Sequence, residues 1–169
     1  MAAVAPARDT AADRNDLRGS IIIVTAPQTD ASTSASSEPR HVRIVICDDQ
    51  APYRFFLRAL LEQHRDLEVV GEGWHGGQAI QRCRDEQPDV LIIDLDMPVM
   101  DGYAALGRVR ELSPRTRILV LTGLPDADAI AKARAAGADD VFSKTVEPAE
   151  IVAAIRSMSP APRGAASNS

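Results

Sequence analysis

Five residues that could bind a cation or react with phosphate stand directly after apolar, strand-like runs in this chain of 169 residues. They are Asp48, Asp49, Asp94, Thr122 and Lys144. Ligands of open α/β sheets bind in the crevice outside the carboxyl ends of the strands, so these side chains are expected to converge there. Carboxylates, a hydroxyl and an ammonium group at one sheet edge suit the joint binding of a cation and a phosphoryl group.

The chemistry expected at this edge is phosphoryl transfer assisted by Mg2+. Three clustered carboxylates repel one another unless a cation lies among them. Mg2+ fits because it is a hard cation that prefers oxygen ligands and commonly binds carboxylates together with phosphate and water. Lys144 and Thr122 could meet the remaining phosphoryl oxygens. Asp94 could be the nucleophile, because phosphoryl transfer needs mainly an in-line attacking group and neutralisation of charge.

The elements that must position these residues alternate between strand and helix. Strands are predicted at 42–47, 67–71, 90–93, 117–122 and 140–143, and helices at 52–64, before Pro88, and at 101–112, 127–136 and 147–158. This alternation predicts an α/β fold with a five-stranded, doubly wound parallel sheet. Spacing does not give the strand order. The flavodoxin-like order 2-1-3-4-5 places the three most apolar strands centrally, and we therefore expect it.

The composition is that of a globular domain with an aliphatic core. Hydrophobic residues make up 45% of the chain but aromatic residues only 4%, so Ala, Val, Ile and Leu must fill the interior. The net charge of -5 argues against direct binding of nucleic acid, which requires a basic face. Cys47 and Cys83 lie in apolar runs and are expected to be reduced packing residues. No run is long enough for a signal peptide or a membrane span, which predicts a cytoplasmic protein without membrane contact.

The two ends of the chain differ in amino-acid composition from the centre. Residues 1–40 and 159–169 are rich in small and polar residues, which predicts a disordered N-terminal extension and a disordered tail around a domain at 41–158. The apolar patch Ile21–Val24 could dock as a short strand, or it could be an apolar remnant in a flexible segment.

The motifs resemble the receiver domain of bacterial two-component response regulators, of the stand-alone, chemotaxis-receiver-like kind with no recognisable output domain. The resemblance rests on Asp48-Asp49, on Asp94 within the segment 93–102, on Thr122 after an apolar run, and on Lys144 after the segment 137–140. It covers residues 42–158 and includes every motif in order.

The resemblance implies a role for each acidic residue. Asp94 corresponds to the phosphoacceptor, which receives its phosphoryl group from a histidine kinase or a phosphotransfer protein. Asp49 corresponds to the acid that binds Mg2+ directly, and Asp48 to the acid that acts largely through a bound water. Asp96 corresponds to the position whose backbone carbonyl is a metal ligand. Its own carboxylate could tune the lifetime of the phosphate or be merely solvated.

The resemblance also implies a switching surface. Thr122 corresponds to the hydroxyl that moves onto the phosphoryl group, and Lys144 to the lysine that pairs with it. The responding α4-β5-α5 face would comprise residues 127–136, 141–143 and 147–156. The implied protein is a phosphorylation-activated signalling switch and not an enzyme, apart from its own phosphorylation and dephosphorylation. Its implied partners are the phosphodonor and a downstream protein, with a monomer or a phosphorylation-dependent homodimer as the assembly.

Two alternatives to a phosphorylation switch remain open, and the first arises from a departure from the family pattern. Receivers usually carry an aromatic residue three positions before the lysine, but here that position is Val141. The neighbouring Phe142 faces the opposite side of a strand and cannot simply replace it. A receiver-like protein-binding module that does not switch by phosphate therefore remains one alternative. The other is a haloacid-dehalogenase-like phosphatase, because Asp94 and Asp96 form an Asp-x-Asp pair.

Overall fold

Residues 41–100 and 102–159 are described by this computed structural model, and within them five strands alternate with five helices. The elements in chain order are β1 Val42–Cys47, α1 Ala51–Glu62, β2 Leu67–Gly73, α2 Gly76–Glu86, β3 Val90–Ile93, α3 Gly102–Leu112, β4 Arg117–Thr122, α4 Ala127–Ala136, β5 Asp140–Ser143 and α5 Pro148–Met158. Four strands and α4 have the predicted bounds. The predicted extension, with its Ile21–Val24 patch, and residues 160–169 lie outside the described ranges.

The five strands form one parallel sheet in the order β2-β1-β3-β4-β5, which confirms the flavodoxin-like prediction. β3 is buried along its whole length, as expected for a central strand covered on both faces. β2 lies at an edge and extends two residues beyond its predicted end, because Glu72 and Gly73 pair with Ile46 and Cys47 of β1. That pairing is a tertiary effect, which local sequence does not reveal.

The core has two halves, one on each face of the sheet. Alternate strand residues such as Val45, Leu91 and Ile93 pack on one face with residues of α2, α3 and α4. Their neighbours, such as Ile44 and Ile92, pack on the other face with residues of α1 and α5. A doubly wound sheet requires this arrangement, because both faces must be covered by helices.

The two cysteines belong to the first half of the core. Cys47 and Cys83 are both buried and free, and burial raises the pKa of each thiol to about 12. A thiol with so high a pKa is inert at neutral pH. The predicted role of both residues in packing is therefore confirmed.

The helices are short, and each covers the sheet with one apolar side. The longest, α1, has 12 residues, while about 20 apolar residues are needed to cross a bilayer. Within residues 41–100 and 102–159 there is accordingly no helix with the length and apolarity of a membrane span.

Candidate functional site

The chemical residues converge because neighbouring strands end at the same level. Cys47 and Ile93 are paired as the last residues of β1 and β3. The backbone N–H of Asp94 then donates to the Cys47 carbonyl at 2.9 Å, and that of Lys144 to the Thr122 carbonyl at 2.6 Å. Asp94 and Lys144, which directly follow β3 and β5, are thus each hydrogen-bonded to the end of a neighbouring strand, and the predicted convergence at the carboxyl edge is present in the structure.

Three carboxylates form the centre of the site. Asp48, Asp49 and Asp94 each offer an oxygen atom within 4.8 Å of the others. Asp48 and Asp94 are buried at 2% exposure, whereas Asp49 is exposed. Asp48 accepts a hydrogen bond from the backbone N–H of Gln50 at 2.8 Å. Nothing in the described part of the chain donates to the Asp49 carboxylate, which leaves it available as a ligand.

Lys144 is inserted between the two buried carboxylates. Its Nζ lies 2.7 Å from Asp48 Oδ2 and 2.8 Å from Asp94 Oδ2, and the side chain is only 12% exposed. The same ammonium lies 4.9 Å from the centre of the Tyr53 ring, a cation-π arrangement that the sequence did not suggest. The lysine is therefore held from three sides.

The pKa values of this group reflect burial and pairing together. Burial lowers the pKa of Lys144, but its hydrogen bonds to Asp48 and Asp94 more than offset this, and the net shift is upward. Burial raises the pKa of Asp48, and the Lys144 ammonium opposes that shift in part. A lysine with a raised pKa keeps its charge at neutral pH, as contact with a phosphoryl group requires.

The donor set fits a magnesium ion. With three carboxylates counted as -3 and one ammonium as +1, the ionised cluster carries a net charge of -2, which a divalent cation would neutralise. All the available ligands are hard oxygen atoms, as Mg2+ prefers. The backbone of Asp96 lies beside them, since its N–H donates to Asp94 Oδ1 at 3.3 Å.

Thr122 has a partner that the sequence did not predict. Its hydroxyl donates to Asp96 Oδ2 at 3.2 Å, although Asp96 is an exposed residue. The Asp96 carboxylate is therefore not merely solvated, and its effect on the lifetime of the phosphate stays a prediction. The carboxylate accepts the hydrogen bond of the residue expected to switch.

The loop between β3 and α3 is constrained at two positions. A Cβ atom at Gly102 would collide with the Asp94 carbonyl oxygen and lie 2.8 Å from Leu95 Cα, so only glycine fits there. Val99 adopts a φ of 70° with its side chain exposed. A β-branched residue rarely adopts this left-handed conformation, which costs about 1 to 2 kcal/mol. The loop after Asp94 is therefore tight and strained.

Val141, which stands where receivers usually have an aromatic residue, and its neighbour Phe142 lie on opposite faces of the sheet. Val141 is buried in the half of the core that faces α2, α3 and α4, while Phe142 packs against the other half. The prediction that Phe142 faces the opposite side of the sheet from Val141 is confirmed.

Comparisons with known proteins identify the class. The family model of the response regulator receiver domain matches residues 44–156. A transcriptional regulatory protein YhcZ of Bacillus subtilis, itself described as uncharacterized, is 38% identical over 66% of this chain and 52% of its own length. The response regulator VraR of Staphylococcus aureus is 31% identical over 70% of this chain and 56% of its own length. The chain thus spans about half the length of these curated relatives.

Solved structures agree with this result. The response regulator domain of Thermotoga maritima CheB superposes with a TM-score of 0.66 at 27% identity, covering 73% of this chain and 100% of that domain. A LuxR-family two-component response regulator from an Aurantimonas species gives a TM-score of 0.67 at 32% identity, covering 70% of this chain and 84% of the other. The chain belongs to the response regulator receiver domain family.

Proposed function

We propose that this chain is a phosphorylation-activated switch of a two-component phosphorelay and that Asp94 is its phosphoacceptor. The observation that carries the proposal is the environment of Asp94, a buried carboxylate at the carboxyl end of the central strand β3. Lys144 pairs with it at 2.8 Å, and Asp48 and Asp49 lie within 4.8 Å. Membership of the receiver family supports phosphoryl transfer as the reaction. The environment of Asp94 supports this residue as the acceptor.

Asp94 would act as the nucleophile toward a phosphohistidine of a histidine kinase or phosphotransfer protein. An Oδ atom of Asp94 attacks phosphorus, the P–N bond breaks, and the imidazole leaves with the electron pair. Lys144 would pair with one phosphoryl oxygen as a point charge, and Thr122 would donate its hydroxyl to another. The chain would catalyse only its own phosphorylation and dephosphorylation.

Asp48, Asp49 and Asp94 would hold Mg2+ together with the backbone carbonyl of Asp96. When bound, the cation supplies neutralisation of the charge on the transferring phosphoryl group. Asp49 is proposed as the direct ligand because its exposed carboxylate has no partner among the described residues, and Asp48 as a ligand through water. Burial of Asp48 and Asp94 limits access of bulk water to the acyl phosphate.

The output is proposed to be the α4-β5-α5 face, acting on a downstream protein. This surface comprises α4, residues 141–143 and residues 147–156. It adjoins the site because Thr122 ends β4 just before the β4–α4 loop, and Lys144 directly follows β5. The proposal concerns the receiver alone, since the curated relatives are about twice as long as the part that this chain matches.

Phosphate uptake from a small phosphodonor tests this function. Incubation with acetyl phosphate and Mg2+ is expected to add one phosphoryl group per chain, as detected by intact-protein mass spectrometry, and chelation of Mg2+ is expected to prevent it. Asp94→Asn should abolish uptake. Asp85→Asn, which neutralises an exposed carboxylate of α2 paired with Arg84, should not change it.

Two outcomes would overturn the proposal. One is the absence of uptake by the wild-type protein, and the other is undiminished uptake by Asp94→Asn. Repeated turnover of phosphate monoesters, in place of a single stoichiometric event, would instead indicate a phosphatase.

A further inference from the structure

A small crevice connects Thr122 with helix α4. Its volume is about 100 Å³, and its walls include Asp96, Tyr103, Thr122, Leu124 and Ala129. Tyr103 is the one aromatic side chain among the described residues that line it. The crevice therefore has the Thr122 hydroxyl at one end and a tyrosine that reaches α4 at the other.

At one end of the crevice, the Thr122 hydroxyl can donate its hydrogen bond to either of two acceptors. Its hydroxyl has a single proton to donate, and in this structure the acceptor is Asp96 Oδ2 at 3.2 Å. A phosphoryl group on Asp94 would offer anionic oxygens that compete for this proton. The negative charge of the phosphoryl group would also repel the nearby Asp96 carboxylate. Donation to the phosphoryl group thus requires that the bond to Asp96 be broken.

The end at α4 is held by Tyr103. This residue lies in the first turn of α3, and its hydroxyl is 3.5 Å from the Ala129 carbonyl oxygen, the upper limit for a hydrogen bond. Lys132 Nζ lies 4.2 Å from the centre of its ring. Both contacts with α4 are of weak types, so the ring can exchange them for others when the crevice changes shape.

Helix α4 is attached to the core by few buried residues. Of its 10 residues only Ala133 is buried, and Ile130 and Ala136 are partly buried neighbours of the core. A helix attached by so little apolar surface can shift at low cost. A displaced tyrosine at its first turns would therefore alter its position.

We propose that Tyr103 transmits the state of Thr122 to α4. When the phosphoryl group takes the Thr122 hydroxyl, the released Asp96 carboxylate moves, and the Tyr103 ring rearranges within the crevice and changes its contacts with Ala129 and Lys132. Val141 belongs to the same half of the core but is not among the residues that line the crevice. The inference rests on the proposed phosphorylation of Asp94 and names the residue that couples it to the output surface.

The test follows α4 in the full chain by proton-nitrogen spectra with and without beryllofluoride and Mg2+, which together mimic the phosphoryl group. In the wild-type protein, the amides of residues 127–136 are expected to shift. Tyr103→Leu should still take up phosphate from acetyl phosphate, but most of the α4 shifts should disappear. Tyr103→Phe keeps the ring and should keep the shifts. Phe55→Leu removes an exposed ring of α1 that does not line the crevice, and it is the matched control.

A second variant avoids any change to the core. Lys132→Ala removes an exposed cation above the Tyr103 ring and should reduce the mimic-induced shifts of α4, while phosphate uptake is unchanged. Wild-type shifts in both Tyr103→Leu and Lys132→Ala, together with normal uptake, would overturn the inference and leave the proposed function standing. Absence of uptake by the wild-type protein would overturn both.

Discussion

Lys144 is the positively charged side chain within the cluster of acidic residues. It pairs with two buried carboxylates, and its own side chain is only 12% exposed. The ionised cluster has a net charge of -2 with the lysine and would have -3 without it. The lysine is thus a partner of the acids in the resting protein and a competitor of any cation that they bind.

Replacing Lys144 with methionine should separate these two effects. The metal-free variant is expected to lose about 2 to 3 kcal/mol of stability, less than the 3 to 5 kcal/mol typical of breaking a fully buried pair, because the acids can take up protons. Its affinity for Mg2+ should rise, since one repelling charge is gone, while phosphate uptake slows. Chemical denaturation and Mg2+ titration by calorimetry measure these changes.

Lys132→Met provides the control for that variant, because Lys132 is the other lysine of the chain and lies exposed on α4. It should leave Mg2+ affinity unaltered. Weaker Mg2+ binding by Lys144→Met would mean that the lysine supports the metal site and does not compete with it.

At the level of elements, α4 combines an alanine-rich sequence with specific ends. Asp126 is its N-cap and accepts a hydrogen bond from the backbone N–H of Ala129 at 2.8 Å, and Gly137 ends it with a φ of 116°. The cap therefore adds to a packing contact with the core in which only Ala133 is fully buried. A helix with this balance is suited to respond to events at its N-terminal turn.

Asp126→Ala should therefore loosen α4 selectively. Loss of an N-cap typically costs about 1 kcal/mol, and we expect hydrogen exchange of the α4 amides to accelerate about fivefold, the factor that corresponds to this free energy. Asp128→Ala removes the same charge from the first turn without removing the cap bond and should have a smaller effect. Equal acceleration in the two variants would show that charge, not the cap, is responsible.

The elements were largely predictable because their signals are local. The apolar runs at β1, β3, β4 and β5 define strands with clear ends, and parallel strands bring the residues after those ends together. The bond between Thr122 and Asp96 was not predictable, because it depends on the path of the β3–α3 loop. That path is set by a left-handed Val99 and by the close approach of Gly102 to Asp94, neither of which local sequence patterns encode.

At the level of the whole molecule, an ion pair joins parts of the chain that are 90 residues apart. Arg156 in the last turn of α5 donates to both oxygens of Asp66, which lies between α1 and β2, at 2.7 and 2.8 Å. His64 Nδ1 lies 3.3 Å from the same guanidinium. The pair links the end of the last helix to the connection that leads into the edge strand.

This ion pair predicts a defined pH dependence of stability. The hydrogen bonds from Arg156 lower the pKa of Asp66 to about 2, from an ordinary value of about 3.9 in the unfolded chain. Because the folded pKa is depressed, the stabilisation is present above about pH 4 and is lost as the pH falls through about 2. Both side chains are about half exposed, so screening limits the effect to about 0.5 to 1 kcal/mol.

Arg156→Ala should accordingly lower the free energy of unfolding by that amount at about pH 5, and the two stability curves should converge near pH 2. Proton NMR titration should show the Asp66 pKa returning toward its ordinary value in the variant. In an Asp66→Asn background, Arg156→Ala should have little further effect, and a gap between the curves that persists unchanged at about pH 2 would assign the role of Arg156 to packing of its side chain.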